Sequence, residues 1–197
     1  MRINASVTRL FLAAFLIQTP IHNQTQAADL NIKPEGCPTA VTLEAGGRKV
    51  PTLKFDPTAT TLHFLPVAKE EQNWAGKSYL NLELFNSNPG QTEFVVLLRD
   101  GADTKAADLF PRVYFWTKVK ADWQGWKTFS FRLDTFYPST GATEASLSPP
   151  PVSIWQIIFS NQLGPSDPAV NTWGVPVPNG LDLGLGKISV SASPSYK

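Results

Sequence analysis

The segment that runs from residue 112 to residue 118 combines aromatic and cationic side chains with the two-residue period of a β-strand. On that period, one side of the strand carries Arg112, Tyr114, Trp116 and Lys118. Indole and phenol rings offer flat apolar surfaces, and a guanidinium group is a planar hydrogen-bond donor. Sugar rings have flat C–H faces and many hydroxyl groups, so we predict that Tyr114 and Trp116 stack on sugars beside Arg112. The alternative is a strand buried on both sides.

Other polar and aromatic residues could complete such a binding surface. Five of them are predicted as ligand contacts: Asn81, Glu83, Asn161, Gln162 and Trp173. Asn81 and Glu83 alternate with leucines on a predicted strand, and they would lie beside Trp116 if the two strands shared a sheet. Trp123, in a turn, is predicted to be exposed. Trp126, at the start of a core-facing strand, is predicted to be buried.

Catalytic candidates are few. Glycoside hydrolysis needs two carboxylates placed across one bond, and Glu83 and Glu93 are isolated acids on predicted strands. His63 is the one histidine after residue 27, and a lone histidine on an alternating strand is more often structural. One histidine and one cysteine also exclude an ordinary His/Cys zinc site. We predict no catalytic residue; the alternative is a small polysaccharide lyase or glycoside hydrolase that uses Glu83, His63 or Tyr114.

The N-terminus has the three ordered parts of an export signal. Arg2 and Arg9 supply positive charge, an apolar run spans residues 10–17, and Thr25 and Ala27 form a small-residue cleavage site. We predict a signal peptide at 1–27 and one secreted or periplasmic domain at 28–197. The alternative is a short core helix in a cytosolic domain. No other apolar run is long enough for a membrane span.

The charge balance favours neutral ligands over strongly charged partners and leaves a local basic patch open as an alternative. The chain has 17 Lys and Arg against 16 Asp and Glu; loss of Arg2 and Arg9 with the signal leaves 15 against 16, a net charge of about −1. We therefore predict neither nucleic acid nor a membrane as a partner. Cys37 is the only cysteine, so no internal disulfide can form, and the state of its thiol stays open.

Strand and turn signals fill the chain from residue 40 onward. Short alternating or continuous apolar runs are separated by Gly-, Asn- and Pro-containing turns, and two long loops span residues 137–151 and 164–180. No helical period exceeds a turn or two. Eight or nine short strands in about 160 residues predict an all-β fold, namely a two-sheet antiparallel β-sandwich with jelly-roll topology.

A longer pattern of aromatic and apolar positions carries a family resemblance. It consists of Tyr114-Phe115, Asp-Trp-Gln-Gly-Trp-Lys at 122–127, Asp134 to Phe136, Ile154 to Phe159 and Leu181 to Val190. This pattern resembles the jelly-roll, galactose-binding-like carbohydrate-binding modules of polysaccharide-degrading enzymes, and it is similar to the N-terminal jelly-roll domains of some glycosaminoglycan lyases. The resemblance implies a non-catalytic protein that binds a polysaccharide or oligosaccharide, with an enzyme as a further candidate partner.

Many such modules place an aspartate before the final isoleucine, where it helps to bind a structural calcium ion. Here that position is Gly186, and Asp182 is offset by four residues. Calcium requires six or more oxygen ligands, so no cofactor is predicted, while structural calcium stays open as an alternative. A structural or assembly protein, whose aromatic face contacts another protein, is the other alternative function.

Overall fold

The computed structural model describes residues 27–32, 41–45, 47–59, 61–88, 90, 93–100, 114–138, 153–161 and 180–195. The predicted signal peptide, apart from Ala27, and Cys37 lie outside these residues. The strands within them are β1 (Ala28–Asp29), β2 (Val41–Ala45), β3 (Arg48–Phe55), β4 (Leu62–Pro66), β5 (Tyr79–Asn86), β6 (Glu93–Asp100), β7 (Tyr114–Lys120), β8 (Gly125–Arg132), β9 (Tyr137–Pro138), β10 (Ile154–Ser160) and β11 (Leu181–Ser191). Short 3₁₀ turns cover Lys69–Glu71 and Leu133–Thr135.

The strands form two antiparallel sheets. The first has the order β2-β3-β11-β5-β8, and β1 pairs with the C-terminal half of β11. The second has the order β4-β10-β6-β7-β9. Neighbours within each sheet are mostly distant in sequence, as expected when strands alternate between the layers of a sandwich. The predicted all-β, two-sheet antiparallel jelly-roll sandwich is confirmed.

The core lies between the two sheets and follows from strict alternation. In β5 the inward residues Leu80, Leu82 and Leu84 have no exposed surface. In β6 the inward residues Phe94 and Leu98 are equally buried and belong to the same apolar cluster. Because successive side chains of a strand point to opposite faces, each sheet also presents a second, outer face, on which any ligand site must be built.

The β-branched residues in the segment 58–65 favour a strand, but the strand in the structure is shorter. β4 begins only at Leu62, since the preceding residues form a turn around Asp56. The Asp56 carboxylate accepts hydrogen bonds from the backbone N–H and the hydroxyl of Thr58, at 2.7 and 2.6 Å. These bonds hold the pKa of Asp56 below its usual value. Such a side chain-to-backbone turn competes with the strand that the β-branched residues favour.

Candidate functional site

The outer face of the second sheet carries a row of apolar and aromatic side chains that crosses all five strands. Direct cross-strand pairing brings together, from β4 to β9, the residues Phe64, Ile158, Leu97, Trp116 and Tyr137. We call this surface the Trp116 face. Its centre is buried, whereas Tyr137 at the β9 edge is 60% exposed. The face therefore has a fixed apolar base and an aromatic edge that is open to solvent.

Trp116 and Tyr137 form the aromatic pair at that edge. Their ring centroids lie 5.2 Å apart, and the ring planes are tilted by 36°. Trp116 is half-buried and packs on Val95, Leu97 and Ile158, so its indole has little freedom to turn. Tyr137 is a site residue that the sequence reasoning missed. Its signal was weak, because Tyr137 begins the segment 137–151, which was predicted to be a long loop.

Polar groups adjoin the Trp116 face at the next row of the sheet. Arg99 lies opposite both Tyr114 and Gln156, two residues along β6 from Leu97. Its guanidinium carbon lies 4.0 Å from the centre of the Trp155 ring, and its Nη1 donates to Gln156 Oε1 at 3.1 Å. Stacking and hydrogen bonding together fix the plane of this buried cation beside the aromatic edge.

Only part of the predicted site lies within the described residues. The backbone of Tyr114 begins β7, two residues before Trp116. The Tyr114 side chain lies outside the described residues, as do Arg112, Gln162 and Trp173 entirely. Of the predicted aromatic contacts, Trp116 is thus the one whose surroundings the structure describes.

The predicted meeting of Asn81 and Glu83 with Trp116 is wrong. β5, which carries both residues, is in the first sheet, whereas β7 is in the second. The outer faces of the two sheets point away from each other, with the core between them. The two-residue alternation identifies the inner and outer residues of each strand. It does not identify the sheet to which a strand belongs, because sheet membership depends on pairing between distant segments.

Asn81 is buried beneath the C-terminal tail, with 3% of its surface exposed. Its Oδ1 accepts from the Ser130 hydroxyl at 2.7 Å and from the Ser195 N–H at 3.2 Å. Its Nδ2 donates to the Ser191 hydroxyl at 2.8 Å. These bonds attach the tail to the first sheet and place Asn81 within the fold, which differs from its predicted role as a sugar contact.

Glu83 stabilises an irregularity in the central strand β11. The register of β11 against β5 shifts between Leu185 and Ile188. Within that bulge, the Lys187 N–H donates to Glu83 Oε2 at 3.1 Å, and Arg48 binds both carboxylate oxygens at 3.2 and 3.3 Å. A Cβ atom at position 186 would lie 2.5 Å from Glu83 Oε2 and 2.8 Å from Trp126 Cζ3, so a larger residue there would have to displace these side chains. Glu83 is therefore occupied by the fold.

The predicted exposures of two tryptophans are reversed in the structure. Trp123 is buried, with 8% exposed, and its Nε1 donates to the Gly125 carbonyl at 3.0 Å. Trp126 is half-buried on the outer face of the first sheet, where the Arg48 guanidinium lies 4.2 Å from its ring centre. Gly125 has a φ of +82°, and this left-handed turn starts β8 with Trp126 opposite Phe85 on the outer face.

Asn161 follows β10 directly and is buried, with 3% exposed. Its Nδ2 donates to the carbonyls of Asp56 and Ala59 at 2.7 and 2.9 Å. Its Oδ1 accepts from the Thr61 N–H at 2.8 Å. This amide thus closes the turn before β4 with three side-chain hydrogen bonds, which differs from its predicted role as a sugar contact.

The surroundings of Gly186 offer little to a calcium ion. The one carboxylate beside it, that of Glu83, already has Arg48 as a cationic partner, and Asp182 is exposed on the far side of Gly184. Among the described residues, no three or more His, Cys, Asp or Glu side chains come together as a metal site. These donors do not fit calcium at this position.

The part of the chain that the structure describes contains no helix that is long and apolar enough to cross a membrane.

His63 lies in the core and not at a surface, with no exposed area. Its Nε2 donates to the Lys54 carbonyl at 2.9 Å, and the ring meets Phe55 edge-on at 4.9 Å. Burial lowers the pKa of His63, and the hydrogen bond to Lys54 opposes this only in part. Burial therefore favours the neutral imidazole in the folded protein.

This burial makes the stability of the fold depend on pH. Below the ordinary histidine pKa of 6.5, the unfolded chain binds a proton that the folded chain does not. We expect the free energy of unfolding to fall as the pH drops through this range, by at most about 1.4 kcal/mol per pH unit. Urea unfolding of residues 28–197 at pH 7.5, 6.5 and 5.5 measures it. His63→Gln should remove this component of the slope; an equal slope in the variant would contradict the assignment.

The chain matches no family model, and it matches no curated protein. Among solved structures, it is similar to the family 11 carbohydrate-binding module from Clostridium thermocellum in complex with a β-1,3-1,4-mixed-linked tetrasaccharide. The two are 10% identical, with a TM-score of 0.50, over 80% of this chain and 84% of the module.

Two further solved structures are similar to this chain. PfGH50B is 12% identical with a TM-score of 0.51, over 89% of this chain but only 24% of that larger protein. A family 30 carbohydrate-binding module is 14% identical with a TM-score of 0.49, over 81% of this chain and 76% of the module. At these identities the likeness concerns the fold alone. The predicted resemblance is confirmed at that level: the chain has the jelly-roll β-sandwich fold of carbohydrate-binding modules.

Proposed function

We propose that this protein binds a polysaccharide or oligosaccharide at the Trp116 face and does not cleave it. The observation that carries the proposal is the Trp116–Tyr137 pair, in which a packed indole and an exposed phenol lie 5.2 Å apart at the edge of a sheet. The exposed member of this pair, Tyr137, adds little to the core. It does offer a rigid surface on which a ring-shaped ligand can stack.

The chemistry of this edge suits a sugar chain. The two ring planes are tilted by 36°, so they can contact consecutive sugar units that are themselves twisted relative to each other. Because Trp116 is fixed by its neighbours, stacking costs little side-chain entropy. The exposed ammonium of Lys118, on the same face as Trp116, is available to sugar hydroxyls.

The fold supports the proposal without identifying the ligand. The family 11 module with the same architecture was solved with a tetrasaccharide bound, which shows that such a sandwich can carry a glycan site. Since the two chains are only 10% identical, the sugar bound by that module does not transfer to this protein. The argument for binding therefore depends on the side chains of the Trp116 face.

Trp116→Ala tests the proposal. Loss of the indole removes the larger of the two stacking surfaces, and we expect the affinity for the bound glycan to fall by about 10- to 100-fold. The measurement is isothermal titration calorimetry with the glycans that a polysaccharide and oligosaccharide screen identifies for the wild-type protein. Tyr137→Phe, which keeps the ring, should bind nearly as well as the wild type.

Trp126→Ala is the matched control, since it removes another half-buried tryptophan from the outer face of the opposite sheet. It should leave the affinity unchanged. Equal binding by Trp116→Ala and the wild-type protein, with the variant folded by circular dichroism, would overturn the proposed site. Release of new reducing or unsaturated ends from a bound polymer would overturn the non-catalytic part of the proposal.

A further inference from the structure

Two lysines continue the Trp116 face along β7. Lys118 and Lys120 follow Trp116 at two-residue intervals, and they lie directly opposite Val95 and Glu93 on β6. Both lysines are exposed. Val95 packs in the same outer cluster as Trp116, so this register places the lysines on the same face as the indole. The face therefore combines an aromatic edge with a line of positive charge.

The Trp116 face carries more positive than negative charge among the described residues. Lys118 and Lys120 are exposed, and neither has a carboxylate partner within 4.0 Å in that part of the chain. The one carboxylate of the face there is Glu93, which lies directly opposite Lys120.

The segment from Trp116 to Lys120 is long enough to contact several units of a polymer. The four steps along the strand from Trp116 to Lys120 span about 13 Å, which is the length of two to three sugar units. Among the described pairs, β9 lies beside β7 only at Phe115 and Trp116. The part of β7 that carries the two lysines has no β9 partner in these pairs. A chain that stacks on Trp116 and follows β7 would pass both ammonium groups.

We propose that the glycan bound at the Trp116 face is acidic, with carboxylate or sulfate groups that pair with Lys118 and Lys120. This inference rests on the proposed function and adds the chemical class of the ligand. An ammonium group attracts a nearby carboxylate or sulfate, and two such pairs in register give a preference for a charged polymer over its neutral counterpart. The whole chain is nearly neutral, so its net charge does not reveal the local excess of positive charge on this face.

The test compares polymers that differ only in charge. Polygalacturonate is paired with its carboxyl-reduced form, and a sulfated galactan is paired with its desulfated form, so that the two sources of negative charge are separated. The protein variants are Lys118→Gln, the double variant with Lys120→Gln, and Lys69→Gln as the matched control. Lys69 is exposed on a 3₁₀ turn away from this face.

We expect at least one charged polymer to bind more tightly than its neutral partner. Lys118→Gln should weaken that binding about 3- to 10-fold and the double variant more, while Lys69→Gln should not change it. Raising the salt from 50 to 300 mM should weaken it too, because exposed ion pairs are screened.

The outcomes separate this inference from the proposed function. Binding that depends on Trp116 but is equal for charged and neutral polymers, or that is unchanged in the double lysine variant, would overturn the acidic ligand and leave the binding site standing. Trp116-dependent binding of neutral glycans alone, in a wider screen, would do the same. If Trp116→Ala does not weaken binding to any glycan, the proposed function itself is overturned.

Discussion

Replacing Trp74 by alanine should lower the free energy of unfolding by about 4 kcal/mol, the largest effect that we expect from a single substitution in the described chain. Trp74 lies in the connection between β4 and β5, and no part of its surface is exposed. Its indole belongs to the cluster between the two sheets, and its Nε1 donates to the Glu71 carbonyl at 3.0 Å. Alanine would leave a large cavity and an unpaired carbonyl near it.

Urea unfolding monitored by circular dichroism measures this change as a lower midpoint. Trp74→Phe keeps most of the volume but loses the N–H donor, so it should lose roughly half as much stability. Trp126→Ala, which removes a half-buried ring from an outer face, should cost less than Trp74→Ala. A loss of less than about 1 kcal/mol in Trp74→Ala would show that the segment before β5 can be detached without loss of the core.

Periodicity was sufficient to predict the sandwich. A run such as Leu80, Leu82 and Leu84 can bury its leucines only as a strand with one face inward, and several such runs without helical period require two layers. The same reasoning put Trp116 on an outer face. In each case the conclusion depends on the local backbone, whose alternation holds whatever the strand pairs with.

The composition of the site was harder to predict, because it depends on contacts between distant segments. Asn81 and Glu83 are polar residues on an outer face, as predicted, but the C-terminal tail and Arg48 engage them. Tyr137 reaches Trp116 only because β9 pairs with β7. An amide or a carboxylate in a sequence has the same form whether its partner is a ligand or the backbone, so residue type alone could not separate the two.

Substituting alanine for Asn161 tests whether this amide stabilises the fold or contacts the glycan. We expect the free energy of unfolding to fall by about 2 to 3 kcal/mol, since the three side-chain hydrogen bonds of this buried amide each contribute about 1 kcal/mol. The groups left behind are the carbonyls of Asp56 and Ala59 and the N–H of Thr61, and all three would need water to replace the amide. Glycan affinity, measured below the unfolding transition, should be unchanged.

The matched control is Asn73→Ala, which removes an exposed amide with a single hydrogen bond, to the Ala75 N–H at 3.0 Å. It should cost less than about 1 kcal/mol. A variant at position 161 that is as stable as the wild type but no longer binds the glycan would return Asn161 to the ligand site. A variant that is less stable and still binds would show that this amide stabilises the turn before β4 and does not contact the glycan. The Trp116 face would then remain the proposed glycan site.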